Sequence, residues 1–111
     1  MKVPLKKKDW SSEGRRSMTP TELVTQLAKL EGWCLTGDGP TLGIEKTYSF
    51  VNYYETMAFV NAVALVAHIQ DHHPELSVQY GKCAVRFSTH DVLGISSADF
   101  DCAAQVDALL T

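Results

Sequence analysis

Residues 76–89 read LSVQYGKCAVRFST, and this stretch decides the fold. Leu76, Val78 and Tyr80 alternate with Ser77 and Gln79, and beyond Gly81-Lys82 the residues Cys83, Val85, Phe87 and Thr89 continue the apolar set while Arg86 and Ser88 point away. A period of two places successive side chains on opposite faces of a pleated strand. Gly81-Lys82, glycine first, reads as the two-residue turn of a tight hairpin. Strands joined so closely must run antiparallel, because a parallel crossover needs about a dozen residues or more.

Working outward, Leu42 to Phe50 repeats the alternation, with Leu42, Ile44, Tyr48 and Phe50 on one face and Glu45, Thr47 and Ser49 on the other. Lys46 interrupts the apolar face, which places it near an edge or an end of the sheet. Trp33-Cys34-Leu35 is a short strand before the turn Gly37-Asp38-Gly39-Pro40. Between the two β pairs lies a long helix, about Glu55 to His72, that Pro74 ends. It carries two apolar stripes, Phe59-Val63-Val66 and Ala58-Ala62-Leu65, so it needs cover on more than one side. Thr19-Pro20-Thr21-Glu22 opens a first helix with a cap, a proline and a glutamate three residues on, and Gly32 is its natural stop. Ser96 or Ser97 caps a last helix to about Leu110, packed through Phe100, Ala103 and Val106. The expected fold is α+β, a four-stranded antiparallel sheet with helices packed on one face.

The chain has 111 residues, enough for one domain with one core. Ten basic against thirteen acidic residues disfavour a direct nucleic-acid binder. The longest strongly apolar stretch, Met57 to Ala67, spans 11 residues, and a membrane helix needs about 20. Three scattered cysteines and no apolar run behind the first lysines fit a reducing, cytoplasmic setting. Charge is uneven: residues 1–16 are net +4 and the rest net −7. This divides the chain into a basic tail, 1–17, and a body, 18–111. The tail fits a solvated terminus better than an arm for a polyanion, with Trp10 as the residue able to dock.

All four histidines, His68, His72, His73 and His90, lie in the second half. On the expected helix His68 and His72 share a face, His73 sits at its end, His90 ends the hairpin and Asp99 falls in the last helix's first turn. Imidazoles meeting at one helix end suit proton transfer near neutral pH. The competing zinc pattern lacks its glutamate, since residue 69 is Ile, so no metal is expected. Dipole placement alone would also account for His72, His73 and Asp99 taken singly.

At His72-His73-Pro74-Glu75 the chain resembles the pterin-4a-carbinolamine dehydratases. His68, His72-His73-Pro74, Tyr80, His90 and Asp99 match the family's spacing, and Gly32-Trp33, Gly81-Lys82, Ser88-Thr89-His90 and Gly94-Ile95-Ser96 match its flanking text. The resemblance covers about Thr19 to Leu110. It departs at His68, where many members have glutamate, and at Ala98, where animal members have arginine. It implies dehydration of 4a-hydroxytetrahydropterin to quinonoid dihydropterin, which recycles the cofactor of aromatic amino-acid hydroxylases. It implies His72, His90 and Asp99 as the catalytic set, the two histidines as acid and base in either order and Asp99 as an orienting residue. It further implies His73, Asp71 and Tyr80 as substrate contacts, no cofactor beyond the pterin substrate, and homodimers or homotetramers built through the long helix and the sheet. The alternatives are a dimerisation module for a homeodomain transcription factor, as in some animal members, or service to another pterin pathway.

Overall fold

The structure, a computed structural model, describes residues 7–8, 16–92 and 94–111. Its elements run α1 (Pro20–Leu27), β1 (Cys34–Thr36), β2 (Gly43–Ser49), α2 (Tyr53–Gln70), β3 (Glu75–Gln79), β4 (Lys82–Phe87) and α3 (Ser97–Ala108). The strands form one antiparallel sheet in the order β1-β2-β4-β3. Ile44 lies opposite Phe87, Lys46 opposite Val85 and Tyr48 opposite Cys83, while Leu76 and Val78 of β3 face Val85 and Cys83. These residues share one face, and on it Ile44, Tyr48, Cys83, Val85 and Phe87 are buried with Phe59 and Val63 of α2 and Phe100, Ala103 and Val106 of α3. The other face carries Glu45, Arg86 and Glu75 in one row and Thr47, Ala84 and Ser77 in the next. One packed face and one polar face are what alternating strands produce, and the α+β expectation holds.

Helix starts follow the sequence closely. Thr19 and Glu22 exchange hydrogen bonds in a reciprocal cap behind Pro20. Ser96 and Asp99 do the same at α3. Helix ends do not follow. α1 stops at Leu27, several residues before Gly32. α2 stops at Gln70, because Asp71 adopts the left-handed conformation (φ 49°, ψ 45°). The Asp71 N–H then bonds His68 O and the His72 N–H bonds Ala67 O, a Schellman closure made without glycine. His72 therefore lies off the helix and shares no helical face with His68, contrary to the sequence expectation.

Two further corrections concern the sheet. The hairpin turn is Tyr80-Gly81, not Gly81-Lys82, since Gln79 pairs with Lys82. It docks onto its surroundings: the Phe50 N–H donates to Gly81 O and the Thr56 hydroxyl to Tyr80 O. Lys46 sits in an inner strand, but β1 begins at Cys34 opposite Glu45, so Lys46 stands just past the end of that neighbour. Its ammonium reaches Asp107 of α3 and Glu31 O, each at 3.0 Å, which lets a cation stand on the packed face.

Asp107 also accepts hydrogen bonds from Trp33 Nε1 (3.1 Å) and the Tyr48 hydroxyl. Burial first, then that bond and the Asp107 charge, push the Tyr48 phenol far above its ordinary value. Arg86, on the polar face, donates to the hydroxyl and carbonyl of Thr36 and to Thr41 O, tying β4 to β1 and the following turn. The chain ahead of α1 lies beside the start of α3, where Ser17 pairs with Ser96, so the expected tail boundary falls on a residue already paired with the body. Lys8 N–H bonds Ile69 O, and Lys7 Nζ stands 3.4 Å from Asp71. Trp10 lies outside the described residues. No helix among the described residues is long and apolar enough to cross a membrane.

Candidate functional site

The left-handed turn at Asp71 sets up the site. It releases the chain from α2 into the segment leading to β3, where His72 turns inward and is 5% exposed while His73 points out and is exposed. Across from them β4 runs on through Ser88 and Thr89 into a single 3-10 turn, His90–Val92. A pair of backbone bonds between Thr89 and Gly94 closes this loop, which fixes where His90 stands. The two segments face each other across an open cleft lined by Asp71, His72 and His73 on one wall and Ser88, Thr89, His90 and Asp91 on the other.

Behind the cleft lies a buried polar chain. His72 Nε2 is 2.5 Å from Asp99 Oδ1, and its ring stacks near Phe87 with centroids 6.1 Å apart. A carboxylate accepts, so Nε2 carries the hydrogen and Nδ1 is left as the ring's basic nitrogen. Asp99 Oδ2 accepts from the Thr89 hydroxyl at 2.7 Å and from the Ser96 N–H at 2.9 Å. Thr89 Oγ1 is also 2.7 Å from Ser96 Oγ. Thr89, Ser96 and Asp99 are all at most 1% exposed, and a buried polar group needs its partners. Each of these has them. Asp99 also sits at the positive end of α3, which favours its carboxylate.

The cleft thus gathers four of the residues expected from sequence: His72, His73, His90 and Asp71. Asp99, expected with them, is fully buried behind the cleft and reaches it through its bond to His72. Tyr80 is not brought in. It is 68% exposed in the hairpin turn, at the far end of β3 from His73, roughly 20 Å away along extended chain. His68, half-buried in the last turn of α2, does not line the cleft. Among the described residues, no group of three or more His, Cys, Asp or Glu side chains is arranged to hold a metal ion.

Thr89 and Ser96 were missed as site residues, although both carried a signal. Thr89 is polar on the apolar face of β4's continuation, and Ser96-x-x-Asp99 is a capping box whose acid is also needed elsewhere.

Comparison with known proteins comes from three directions. The family model described as "Pterin 4 alpha carbinolamine dehydratase" matches residues 16–109. A protein of Paracidovorax citrulli (strain AAC00-1), assigned by name to the pterin-4-alpha-carbinolamine dehydratases, is 63% identical over 106 residues, covering 96% of this chain and 91% of its own. One of Bdellovibrio bacteriovorus with the same assignment is 50% identical over 98 residues, covering 85% and 78%. Among solved structures, a transcriptional coactivator/pterin dehydratase from Brucella melitensis superposes with a TM-score of 0.78 at 26% identity, covering 85% of this chain and 98% of that one. A pterin dehydratase-like protein described as a RuBisCO assembly factor in the alpha-carboxysome superposes at 0.60 and 26% identity, covering 71% and 89%.

Proposed function

Because this chain belongs to the pterin-4a-carbinolamine dehydratase family, we propose that it dehydrates 4a-hydroxytetrahydropterin to quinonoid dihydropterin and water, in the cytoplasm, recycling the cofactor of aromatic amino-acid hydroxylases. The C4a–O bond breaks, the hydroxyl leaves with an added proton as water, and the neighbouring ring N–H loses its proton as the C=N bond forms. The reaction needs one acid and one base and no redox partner. The observation that carries this reading is the cleft itself, with His72 on one wall and His90 on the other. In it His72 is held by Asp99 through Nε2, which leaves Nδ1 for proton exchange. His90 and His73 are exposed to an incoming ring, the first as the second acid–base group and the second as a substrate contact beside Asp71. A positioned imidazole of this kind contributes about 10²–10⁴ in rate.

Two solved relatives bear other printed roles, coactivator and assembly factor, so the fold alone does not select the dehydratase. The histidines do. The test is decay of enzymatically generated 4a-hydroxytetrahydropterin with and without protein, before and after exhaustive chelation. Catalysed loss that survives chelation is expected, and decay at the spontaneous rate overturns the reading.

The same reading includes self-association through α2 and the sheet. Tyr54, Leu65 and Ile69 on α2 and Val78 on β3 are large apolar residues left exposed, and a face of that kind favours a second copy. Light scattering at micromolar concentration should show a dimer or tetramer, and a 12.3 kDa monomer would contradict it.

A further inference from the structure

The hydroxyls behind the cleft form a chain that can run in only one direction. Asp99 has acceptor oxygens only, so the single proton of Thr89 Oγ1 goes to Asp99 Oδ2. Thr89 therefore has no proton left for Ser96, and Ser96 must be the donor in the 2.7 Å contact between them. Ser96 Oγ is consistent with this, because it also accepts the Ala98 N–H as the cap of α3. The sequence of donors is Ala98 N–H to Ser96, Ser96 to Thr89, Thr89 to Asp99. Its far end is the second oxygen of the same carboxylate, Oδ1, which accepts from His72.

We propose that Thr89 and Ser96 are positioning residues for the reaction: their one-way hydroxyl chain fixes the rotation of the Asp99 carboxylate and thereby holds His72 as the Nε2–H tautomer, with Nδ1 as the atom that exchanges the proton. A carboxylate held at Oδ2 by the Thr89 hydroxyl and the Ser96 N–H cannot swing about its χ2 axis. Oδ1 then has one direction left. Without the hydroxyl Oδ2 retains only the backbone donor, the carboxylate can turn away from Nε2, and the His72 tautomer is then no longer held. Because the chain is buried, water cannot substitute for a lost member at low cost. The cap of α3 is thus also part of the site.

This inference rests on the dehydratase reading for its kinetic arm only, so its test has two arms. Thr89→Val keeps the shape and removes the donor, Thr89→Ala removes it with a smaller side chain, and Thr89→Ser restores it. Side-chain ¹⁵N NMR of the substrate-free protein reads the His72 tautomer. In the native chain a single Nε2–H form is expected; Thr89→Val and Thr89→Ala should give averaged ring-nitrogen shifts, and Thr89→Ser should keep the native pattern. In turnover, Thr89→Val should lower kcat about tenfold with KM nearly unchanged, less than loss of His72 itself would. A folded Thr89→Val or Thr89→Ala protein that keeps the single tautomer overturns the proposal, as does a native His72 in the Nδ1–H form. Should Thr89→Val fail to fold, Thr89→Ala decides it. The tautomer response in the variants, beside a native protein with no carbinolamine turnover, overturns the dehydratase reading and leaves the hydroxyl chain standing.

Discussion

Helix α3 carries an aspartate at each end of its packed length, and the two live differently. Asp99 lies in the first turn, fully buried, at the positive end of the helix dipole, and its partners are the Thr89 hydroxyl, the Ser96 N–H and a histidine that lines the cleft. Asp107 lies eight residues on, about 12 Å along the axis, at the negative end, with its side chain 25% exposed. There the dipole disfavours a carboxylate, and Lys46 supplies the compensating charge at 3.0 Å. The other partners of Asp107, Trp33 and Tyr48, are buried residues of the core. Both sites are well-satisfied polar networks. What separates them is the histidine: the far partner of Asp99 lines the cleft and, in the proposed reaction, exchanges a proton with the substrate.

The sharpest way to break this contrast is at the histidines. Replacing His72 or His90 with Ala should lower kcat by about 10²–10⁴-fold, whereas His73→Ala should raise KM more than it lowers kcat, because it removes contacts made equally in ground and transition states. Equal and mild effects at all three would reduce Asp99 to a structural group like Asp107.

Next in size is Asp99→Asn. The amide oxygen can still accept from Thr89 and Ser96, which turns its NH₂ towards His72 and demands the opposite tautomer. Turnover should fall by about 100-fold or more, as when an orienting acid is amidated behind a catalytic histidine. Single-turnover kinetics on folded protein measure this, and near-native rates would show that the tautomer does not matter.

Asp107→Ala is the converse. It strands the Lys46 ammonium, the Tyr48 hydroxyl and the Trp33 N–H, and should cost about 2 kcal/mol in urea unfolding, with kcat of the folded protein within about twofold of native. A large loss of turnover would mean that the two ends of α3 are coupled.

The smallest effect belongs to Tyr48 and shows only in alkali. Its phenol ionises near pH 10 when unfolded and well above that when folded, since burial and Asp107 both disfavour the phenolate. Its contribution is therefore fully present below about pH 10 and is lost as the pH rises further. The urea midpoint of the native chain should decline more steeply above that pH than the midpoint of Tyr48→Phe. Parallel declines would remove Tyr48 from the Asp107 network.

The sequence made the two ends of α3 unequally readable. Asp99 was legible because Ser96-x-x-Asp99 is a cap pattern and because the family spacing points to it. Asp107 was not, because its partners come from Lys46, Tyr48 and Trp33, far away in sequence and brought together only by the sheet. Strand faces were readable from alternation, and the pairing of Val85 with Leu76 follows it. The end of α2 was not, because a left-handed stop at an aspartate has no glycine to mark it, and Pro74 is a legible but later barrier. Three histidines could be named from sequence, yet their meeting depends on that stop and on the Thr89–Gly94 closure, neither of which has a local signature.

The sheet's two unlike faces have a consequence for inheritance. Along β4 the buried residues Cys83, Val85 and Phe87 are interleaved with Ala84 and Arg86 on the open face, so adjacent codons answer to different demands. At one, a substitution must match the volume and shape of a closed core. At the next, as at Thr47 and Ser77 across from Ala84, it need only suit a strand and stay soluble. Arg86 apart, since it ties β4 to β1 and the turn after it, a lineage can thus rewrite every second letter of its central strands without disturbing the cleft they support, and the text would drift in a comb of alternating fixed and free positions.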